Sequence, residues 1–234
     1  MKRIAFTLLS LMLLTAASFK ASAQSTTENR QVSGFSSVAS AGPFNVYIKM
    51  DGTESLKIDA DADIINNIET VVEDGTLKIK FKNHENWHNN IKKADVYVTA
   101  KSLSGLVNSG SGAIKVDGVI STANFKAVLS GSGNISTSVK SDGLHAVISG
   151  SGSIKLDGSA DDASITVTGS GEVNGKDLKL QSLEAMITGS GNINVNADKS
   201  VSARITGSGN VVYSGNANVS NTHYVGSGRV NKAD

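Results

Sequence analysis

Apolar and polar residues alternate along most of this chain, and the alternation is arranged around a recurring triplet. Gly-Ser-Gly occurs seven times, at spacings of 21, 19, 19, 20, 18 and 19 residues, with first glycines Gly110, Gly131, Gly150, Gly169, Gly189, Gly207 and Gly226. Four positions after each first glycine stands a β-branched residue, namely Ile114, Ile135, Ile154, Val173, Ile193, Val211 and Val230. Positions two and six residues before it are mostly apolar, and polar residues lie between these columns. This period-two pattern predicts short strands with one buried face on either side of every triplet.

A fixed period of about 19 residues predicts one structural unit repeated along an axis. Two short strands per unit, joined by a glycine corner, fit an all-β parallel β-helix in which each turn stacks on the previous one. Glycine suits the corner because it adopts positive φ without a penalty. The seven serines of the triplets then form a column of hydroxyls placed to bond the backbone of the bend or of neighbouring turns.

Other repeat architectures fit the pattern less well. The chain lacks the Leu-x-x-Leu-x-Leu core of leucine-rich repeats, and propeller blades are about 40 residues long. A meander of antiparallel hairpins is the strongest alternative, because Asp117-Gly118, Asp142-Gly143 and Asp157-Gly158 are hairpin-type dipeptides. They occur in only some of the repeats, which favours variable corners of a coil.

The stretch before the repeats is organised differently. Residues 32–105 contain alternating segments such as Phe44-Val46-Ile48 and Leu77-Ile79-Phe81 but no triplet. We expect an irregular β cap or first irregular coils there, continuous with the repeat β-helix of residues 106–234. A short helix is a further expectation for Asp61 to Val72, and residues 24–31 are predicted to be a flexible N-terminal segment.

Residues 1–23 have the layout of a cleaved secretory signal. Lys2 and Arg3 precede an apolar run that ends before Ala21-Ser22-Ala23, so cleavage is expected near Ala23-Gln24.

Removal of this segment takes three of the 22 basic residues and none of the 21 acidic ones, which leaves a net charge of −2. Near-neutral charge without a basic cluster argues against nucleic acid as a partner. The rest of the chain has no apolar run long enough for an integral membrane segment, and the absence of cysteine leaves burial and stacking to hold the fold.

The chain resembles the head GIN domain of putative auto-transporter adhesins, a family of envelope proteins of Gram-negative bacteria. The resemblance rests on Val32-Ser33-Gly34-Phe35 with Gly42-Pro43-Phe44-Asn45-Val46, on Gly75-Thr76-Leu77-Lys78-Ile79, on Val96-Tyr97-Val98-Thr99, and on the repeated Gly-Ser-Gly-Asn-Ile. It implies a right-handed parallel β-helix and suggests adhesion, and it brings no catalytic residues.

Three motifs suggest chemistry, and each has a simpler structural explanation. His84-Glu85-Asn86-Trp87-His88 matches the His-Glu-x-x-His zinc signature, but it follows a strand-like segment in a polar loop and not in a helix. Calcium-binding β-helices place Asp in a fixed slot after the glycines, whereas the acidic residues here fall at different points of the repeat: Asp157, Asp161, Asp162 and Asp177. Few aromatic residues are available as platforms for sugar rings, with Trp87 in the polar loop and Tyr213 and Tyr224 near the end of the chain.

These observations predict a secreted, non-enzymatic protein that is adhesin-like or an envelope scaffold, without catalytic, cofactor or metal-binding residues. It would act in the periplasm or at the cell surface through the polar faces or the open end of the β-helix, with glycans or envelope and matrix proteins as partners. The last triplet begins a turn at Gly226 that predicts an open β-edge around Val230 and self-association through it. A carbohydrate-active enzyme, such as a polysaccharide lyase or hydrolase, is the alternative, and it requires acidic groups that converge in a groove.

Overall fold

The computed structural model describes residues 25–82 and 91–233. Within them, seventeen strands belong to one continuous hydrogen-bonded sheet. The strands of the N-terminal part are β1 (Ser25–Arg30), β2 (Ser37–Ala41), β3 (Asn45–Met50), β4 (Ser55–Asp61), β5 (Ile68–Glu73), β6 (Thr76–Phe81), β7 (Ala94–Ala100) and β8 (Gly105–Gly110). The remaining strands are β9 (Ala113–Gly131), β10 (Asn134–Gly150), β11 (Ser153–Gly169), β12 (Glu172–Gly189), β13 (Asn192–Gly207), β14 (Asn210–Ser214), β15 (Asn218–Val219), β16 (His223–Gly226) and β17 (Arg229–Lys232).

Each long strand from β9 to β13 makes one turn of a β-solenoid. Ile135 of β10 pairs in parallel register with Ile114 of β9 and with Ile154 of β11. The same offset of about 19 residues repeats through about seven turns, which confirms the predicted all-β parallel solenoid. The antiparallel meander is excluded for this part of the chain, because all pairings among β9 to β13 are parallel.

Columns of aligned apolar side chains form the core. Phe125, Leu144, Ala163, Leu183 and Val201 are all buried, and so are the β-branched residues that follow the triplets up to Val211. Each buried Ile, Leu or Val side chain contributes roughly 1.5–3 kcal/mol relative to an exposed one. Because every turn adds equivalent side chains, the core extends as a continuous column along the axis.

The glycine corners stack directly on each other. The first glycine of each triplet from Gly131 onward has positive φ, as predicted. The third glycine does not, and its role is to leave room: a Cβ on Gly133 would lie 2.3 Å from the Gly112 carbonyl oxygen. The backbone of one corner bonds the corner before it, for example from the Ser151 N–H to the Gly131 carbonyl at 3.0 Å.

The triplet serines do not form the predicted bonds to the backbone. All seven are exposed, and in residues 25–82 and 91–233 no hydrogen bond from their hydroxyl groups is found. The N–H groups of the corners already satisfy the glycine carbonyls of the preceding corner, so the hydroxyls face water.

The N-terminal part contains solenoid turns that are stacked out of chain order. Strands β2 and β3 pair with β8 and β9 on one side and with β6 and β7 on the other. Beyond β6 and β7 the strand pairing changes from parallel to antiparallel, since β4 is antiparallel to β7 and β5 is antiparallel to β6. Strand β1 pairs antiparallel with β4 and completes this end.

Two local predictions differ from the structure. The expected helix at residues 61–72 is reduced to a single 3-10 turn, Ile65–Asn67, because the β-branched residues after it form β5. The segment predicted to be flexible contains strand β1, which gains order by pairing with β4 and through hydrogen bonds from Arg30. The predicted signal segment 1–23 and the motif from His84 to His88 lie outside the described residues.

Candidate functional site

Two adjacent strands expose a pair of tyrosines on the outer face of the N-terminal turns. In β3 the flanking Val46 and Ile48 point into the core, so Tyr47 points outward, and in β7 Val96 and Val98 place Tyr97 in the same way. The two tyrosines are direct partners in the parallel ladder. Their ring centroids are 5.3 Å apart with planes inclined by 20°, and the residues are 40% and 37% exposed.

Lysines flank the tyrosine pair. Lys57 of β4 lies opposite Tyr97, and its ammonium nitrogen is 4.7 Å from the centre of the Tyr97 ring. Lys115 of β9 lies opposite Tyr47, and Lys49 follows two residues later in β3. We call these five residues the Tyr–Lys surface: Tyr47, Tyr97, Lys49, Lys57 and Lys115.

The Tyr–Lys surface lies in a concavity of about 800 Å³ that also has polar walls. Ser55, Thr99 and Asn29 line it, with the hydroxyls of Ser55 and Thr99 2.9 Å apart, and Asp117 is the acidic residue of its lining. These groups offer hydroxyl and amide donors and acceptors beside the aromatic rings and the ammonium groups.

Neighbouring charged groups on the same sheet have partners in an ion pair or a hydrogen bond. Lys93 bonds the Asp59 carboxylate at 2.6 Å, and this hydrogen bond raises the pKa of Lys93. Asn45 donates to the Asp95 carboxylate at 3.1 Å. In contrast, within the described ranges, no carboxylate forms an ion pair with Lys49, Lys57 or Lys115.

A second concavity, the axial groove, runs along five turns on another side of the solenoid. It has a volume of about 710 Å³ and is lined mainly by polar side chains, among them Lys126, His145, Asp162, Ser164 and Glu184. Asp162 and Glu184 are the two carboxylates that the enzyme alternative would need. Both are exposed, whereas a catalytic acid requires an environment that favours its neutral form.

Among the residues singled out in the sequence, those in the described ranges do not assemble into a site. Tyr213 is buried in the core, and Tyr224 lies in the last turn with the Arg229 guanidinium 5.6 Å from its ring centre. No three His, Asp or Glu side chains converge on a possible metal position in residues 25–82 and 91–233. Trp87, His84 and His88 fall outside these ranges.

The sequence analysis missed Tyr47 and Tyr97, although the chain carries a signal for them. Val46-Tyr47-Ile48 and Val96-Tyr97-Val98 each place a tyrosine between two apolar residues of a strand. Alternation predicts that both tyrosines point outward. Their proximity depends on the pairing of β3 with β7, which are 50 residues apart.

The C-terminal turn leaves core positions uncovered. Val219 and Tyr224 continue the inner columns of Val201 and Ile205, yet they are 43% and 36% exposed. Strand β17 pairs with β14 on one side, and no other strand in the described part of the chain pairs with its outer edge. Self-association through this edge stays a prediction.

Comparisons with known proteins agree with this architecture. The sequence profile of a family described as "Putative auto-transporter adhesin, head GIN domain" matches residues 34–217. A putative adhesin from Bacteroides fragilis is similar at 26% identity and a TM-score of 0.84, over 91% of this chain and 98% of that one. A structure described as a putative lipid binding protein from Parabacteroides distasonis has 26% identity and a TM-score of 0.73, over 90% and 97% of the two chains.

A putative adhesin from Parabacteroides merdae shares the fold, with 21% identity and a TM-score of 0.71 over 90% of this chain and 97% of that one. Among curated proteins no relative matches the chain. The described residues include no helix with the length and apolar character that crossing a bilayer requires.

Proposed function

This chain belongs to the family of putative auto-transporter adhesins with a head GIN domain, and on that premise we propose that it is an exported, non-enzymatic adhesin-like protein that binds glycans through the Tyr–Lys surface. Export follows from the predicted signal with cleavage near Ala23-Gln24. The adhesin-like character is that of the family and of the Bacteroides fragilis neighbour, which is described as a putative adhesin.

The exposed tyrosine pair is the observation that supports this proposal most directly. Aromatic side chains stabilise a protein more when they are buried, so two rings that stack on each other at a surface favour contact with a ligand. Sugar rings present C–H groups next to hydroxyls. The aromatic rings match the first, and Ser55, Thr99 and Asn29 match the second.

The sheet under the tyrosines favours binding without rearrangement. Val46, Ile48, Val96 and Val98 anchor both strands in the core, and β3 is hydrogen-bonded on both sides, by β7 and β9. A surface that is already ordered loses little conformational entropy when a ligand binds.

The alternative, a polysaccharide lyase or hydrolase, has no comparable support. The family and the Bacteroides fragilis neighbour are described as putative adhesins, and the two carboxylates of the axial groove are exposed. The lipid-binding description belongs to one neighbour, and a membrane ligand is therefore an outcome to be tested.

The experiment is a binding array of glycans and matrix proteins probed with the mature chain from Gln24. We expect the double variant Tyr47→Ala, Tyr97→Ala to lose binding at least about tenfold, which corresponds to about 1.4 kcal/mol. Met186→Ala is the matched control, because Met186 is an exposed apolar residue on β12, away from the site. Absence of glycan binding, or full binding by the double variant, would overturn the proposal.

A further inference from the structure

We infer that the Tyr–Lys surface selects acidic saccharides, which are chains that carry carboxylate or sulfate groups. This inference rests on the proposed function and adds the chemical class of the ligand. Its basis is the arrangement of unneutralised ammonium groups around the aromatic pair.

The charge of the concavity is unbalanced. Three lysines line it, Lys49, Lys57 and Lys115, against the single carboxylate of Asp117. Asp117 is the ladder partner of Lys49, but within the described residues the two side chains form no ion pair. An anion that enters the concavity therefore meets three ammonium groups that, within the described residues, form no ion pair with a carboxylate.

Four other lysines of the N-terminal part form ion pairs with carboxylates. Ion pairs of 2.6–3.3 Å join Lys78 to Glu73, Lys80 to Glu69, Lys93 to Asp59 and Lys101 to Glu54. Carboxylate partners are thus present for four lysines of this region, whereas the three lysines that line the concavity form no ion pair within the described residues. This contrast points to a ligand that provides the negative charge.

The order of residues across the sheet favours a ligand that is longer than one sugar. Lys57, Tyr97, Tyr47 and Lys115 are successive neighbours on β4, β7, β3 and β9. Neighbouring strands are about 4.8 Å apart, so the Cα atoms of the two outer lysines, three strands apart, are separated by roughly 14 Å. A single sugar is shorter than this span, and a chain with repeated acidic groups can reach both lysines while it crosses the tyrosine pair.

The position of Lys57 adds selectivity to attraction. Its ammonium group lies 4.7 Å from the centre of the Tyr97 ring, and this cation–π contact holds it over the face of that ring. An acidic group bound there lies beside the ring, which combines charge recognition with apolar contact. A neutral glycan would meet the same rings but would leave the lysines hydrated.

The experiment compares polygalacturonate with its fully methyl-esterified form, because the two share a backbone and differ in charge. Titration calorimetry of the mature chain in about 50 mM NaCl is expected to give at least about tenfold tighter binding to the acidic form. Raising the salt to about 300 mM should weaken that binding, because exposed charges are screened.

Variants separate this site from general electrostatic attraction. The double variant Lys57→Gln, Lys115→Gln should lose at least about tenfold in affinity for polygalacturonate. Lys140→Gln, Lys179→Gln removes the same charge from other turns and should bind as the unmodified chain does. Unchanged circular dichroism and unfolding midpoints establish that the variants are folded.

The outcomes distinguish the two proposals. Equal, tyrosine-dependent binding of acidic and esterified forms would overturn the charge selectivity and leave the proposed function intact. Binding of neither form, nor of any glycan on the array, would overturn both. Equal loss in both lysine double variants, or lysine-dependent binding to phosphatidylglycerol vesicles in place of the polysaccharide, would also overturn the inference.

Discussion

At the scale of single residues, the triplet glycines are set by the distance between stacked corners. A Cβ on Gly150 would lie 2.4 Å from the Gly131 carbonyl oxygen, and the residue has a φ of 129°. Either condition disfavours any other amino acid. The serine between the glycines has neither a positive φ nor a side chain in close contact with the neighbouring corner, and that side chain faces water.

Gly150→Ala should therefore lower the free energy of unfolding by about 3 kcal/mol or more, through backbone strain and displacement of the neighbouring corner. Ser151→Ala, one residue away, is the control and should change it by less than about 0.5 kcal/mol. Urea unfolding followed by circular dichroism measures both. Equal stability of the two variants would contradict the stacking explanation.

Ser40 is a polar residue in an inner column. It is 1% exposed, its hydroxyl has no hydrogen-bond partner, and its ladder partner is the buried Asn108. The Asn108 amide nitrogen donates to the Gly112 carbonyl at 2.8 Å, whereas its oxygen is also unbonded. The desolvation cost of the Ser40 hydroxyl is thus not offset.

Ser40→Ala is expected to raise the free energy of unfolding by about 1 kcal/mol, since it removes an unsatisfied buried hydroxyl and leaves no large cavity. Ser109→Ala, at an exposed position of β8, should have no measurable effect. The same urea experiment tests this pair, and a destabilised Ser40→Ala would show that the hydroxyl has a partner.

At the scale of elements, Arg30 attaches strand β1 to the rest of the fold. Its guanidinium donates to the Ile68 carbonyl at 2.6 Å and to the Ile65 carbonyl at 3.2 Å, and it pairs with Glu28. β1 is polar and mostly exposed, so these bonds and the ladder with β4 hold it in place.

Arg30→Ala should release β1 selectively. We expect amide hydrogen exchange in Ser25–Arg30 to be faster by about tenfold or more. A tenfold change corresponds to a decrease of about 1.4 kcal/mol in the free energy of local opening. Exchange in β10 to β12 should not change, because these strands are paired on both sides. Uniformly faster exchange across the solenoid would contradict a local role.

The Glu28 carboxylate makes the same contact pH-dependent. The hydrogen bond from Arg30 lowers the pKa of Glu28 below its ordinary value. Because the pKa of Glu28 is lower in the folded state, its ionised carboxylate stabilises the folded state at pH values above the ordinary glutamate pKa. This stabilisation is lost as the pH falls toward the lowered pKa. Exchange in β1 should accelerate as the pH falls below about 4.5, after correction for intrinsic rates, and less so in Glu28→Gln.

The sequence predicts the repeat turns well because one pattern determines both their strands and their neighbours. Identical columns at a fixed period leave one parallel register in which Ile114, Ile135 and Ile154 stay buried together. The N-terminal turns have no such period. The alternation around Leu77 and Ile79 determines which face is buried, but backbone hydrogen bonding does not specify the neighbour, so the insertion of β6 and β7 beside β2 and β3 was not predictable.

The candidate site was missed for the same physical reason. Tyr47 and Tyr97 are each predictable as outward residues of a strand, while their stacking requires the long-range pairing of β3 and β7. A site made by one local motif would have been visible in the sequence. This one exists because solenoid turns stack out of chain order.

At the scale of the whole molecule, the solenoid has two dissimilar ends. The N-terminal end is completed by antiparallel strands and by the hydrogen bonds of Arg30. At the other end, Ala233 donates its N–H to the Tyr213 carbonyl of β14. Because backbone direction alternates along a strand, the N–H of Val230 points toward the outer edge of β17.

This geometry allows a sharp test of self-association through the outer edge. Val230→Pro removes a donor that β14 does not use, whereas Val230→Thr keeps the N–H and the β-branched shape. We expect the mature chain and Val230→Thr to form dimers or larger species in sedimentation velocity as concentration rises, and Val230→Pro to remain monomeric. The uncovered apolar side chains of Val219 and Tyr224 favour this association, since they become buried when a second copy pairs with the edge. A monomeric unmodified chain with the same mass as the proline variant would contradict the expectation and leave the Tyr–Lys surface as the site of contact.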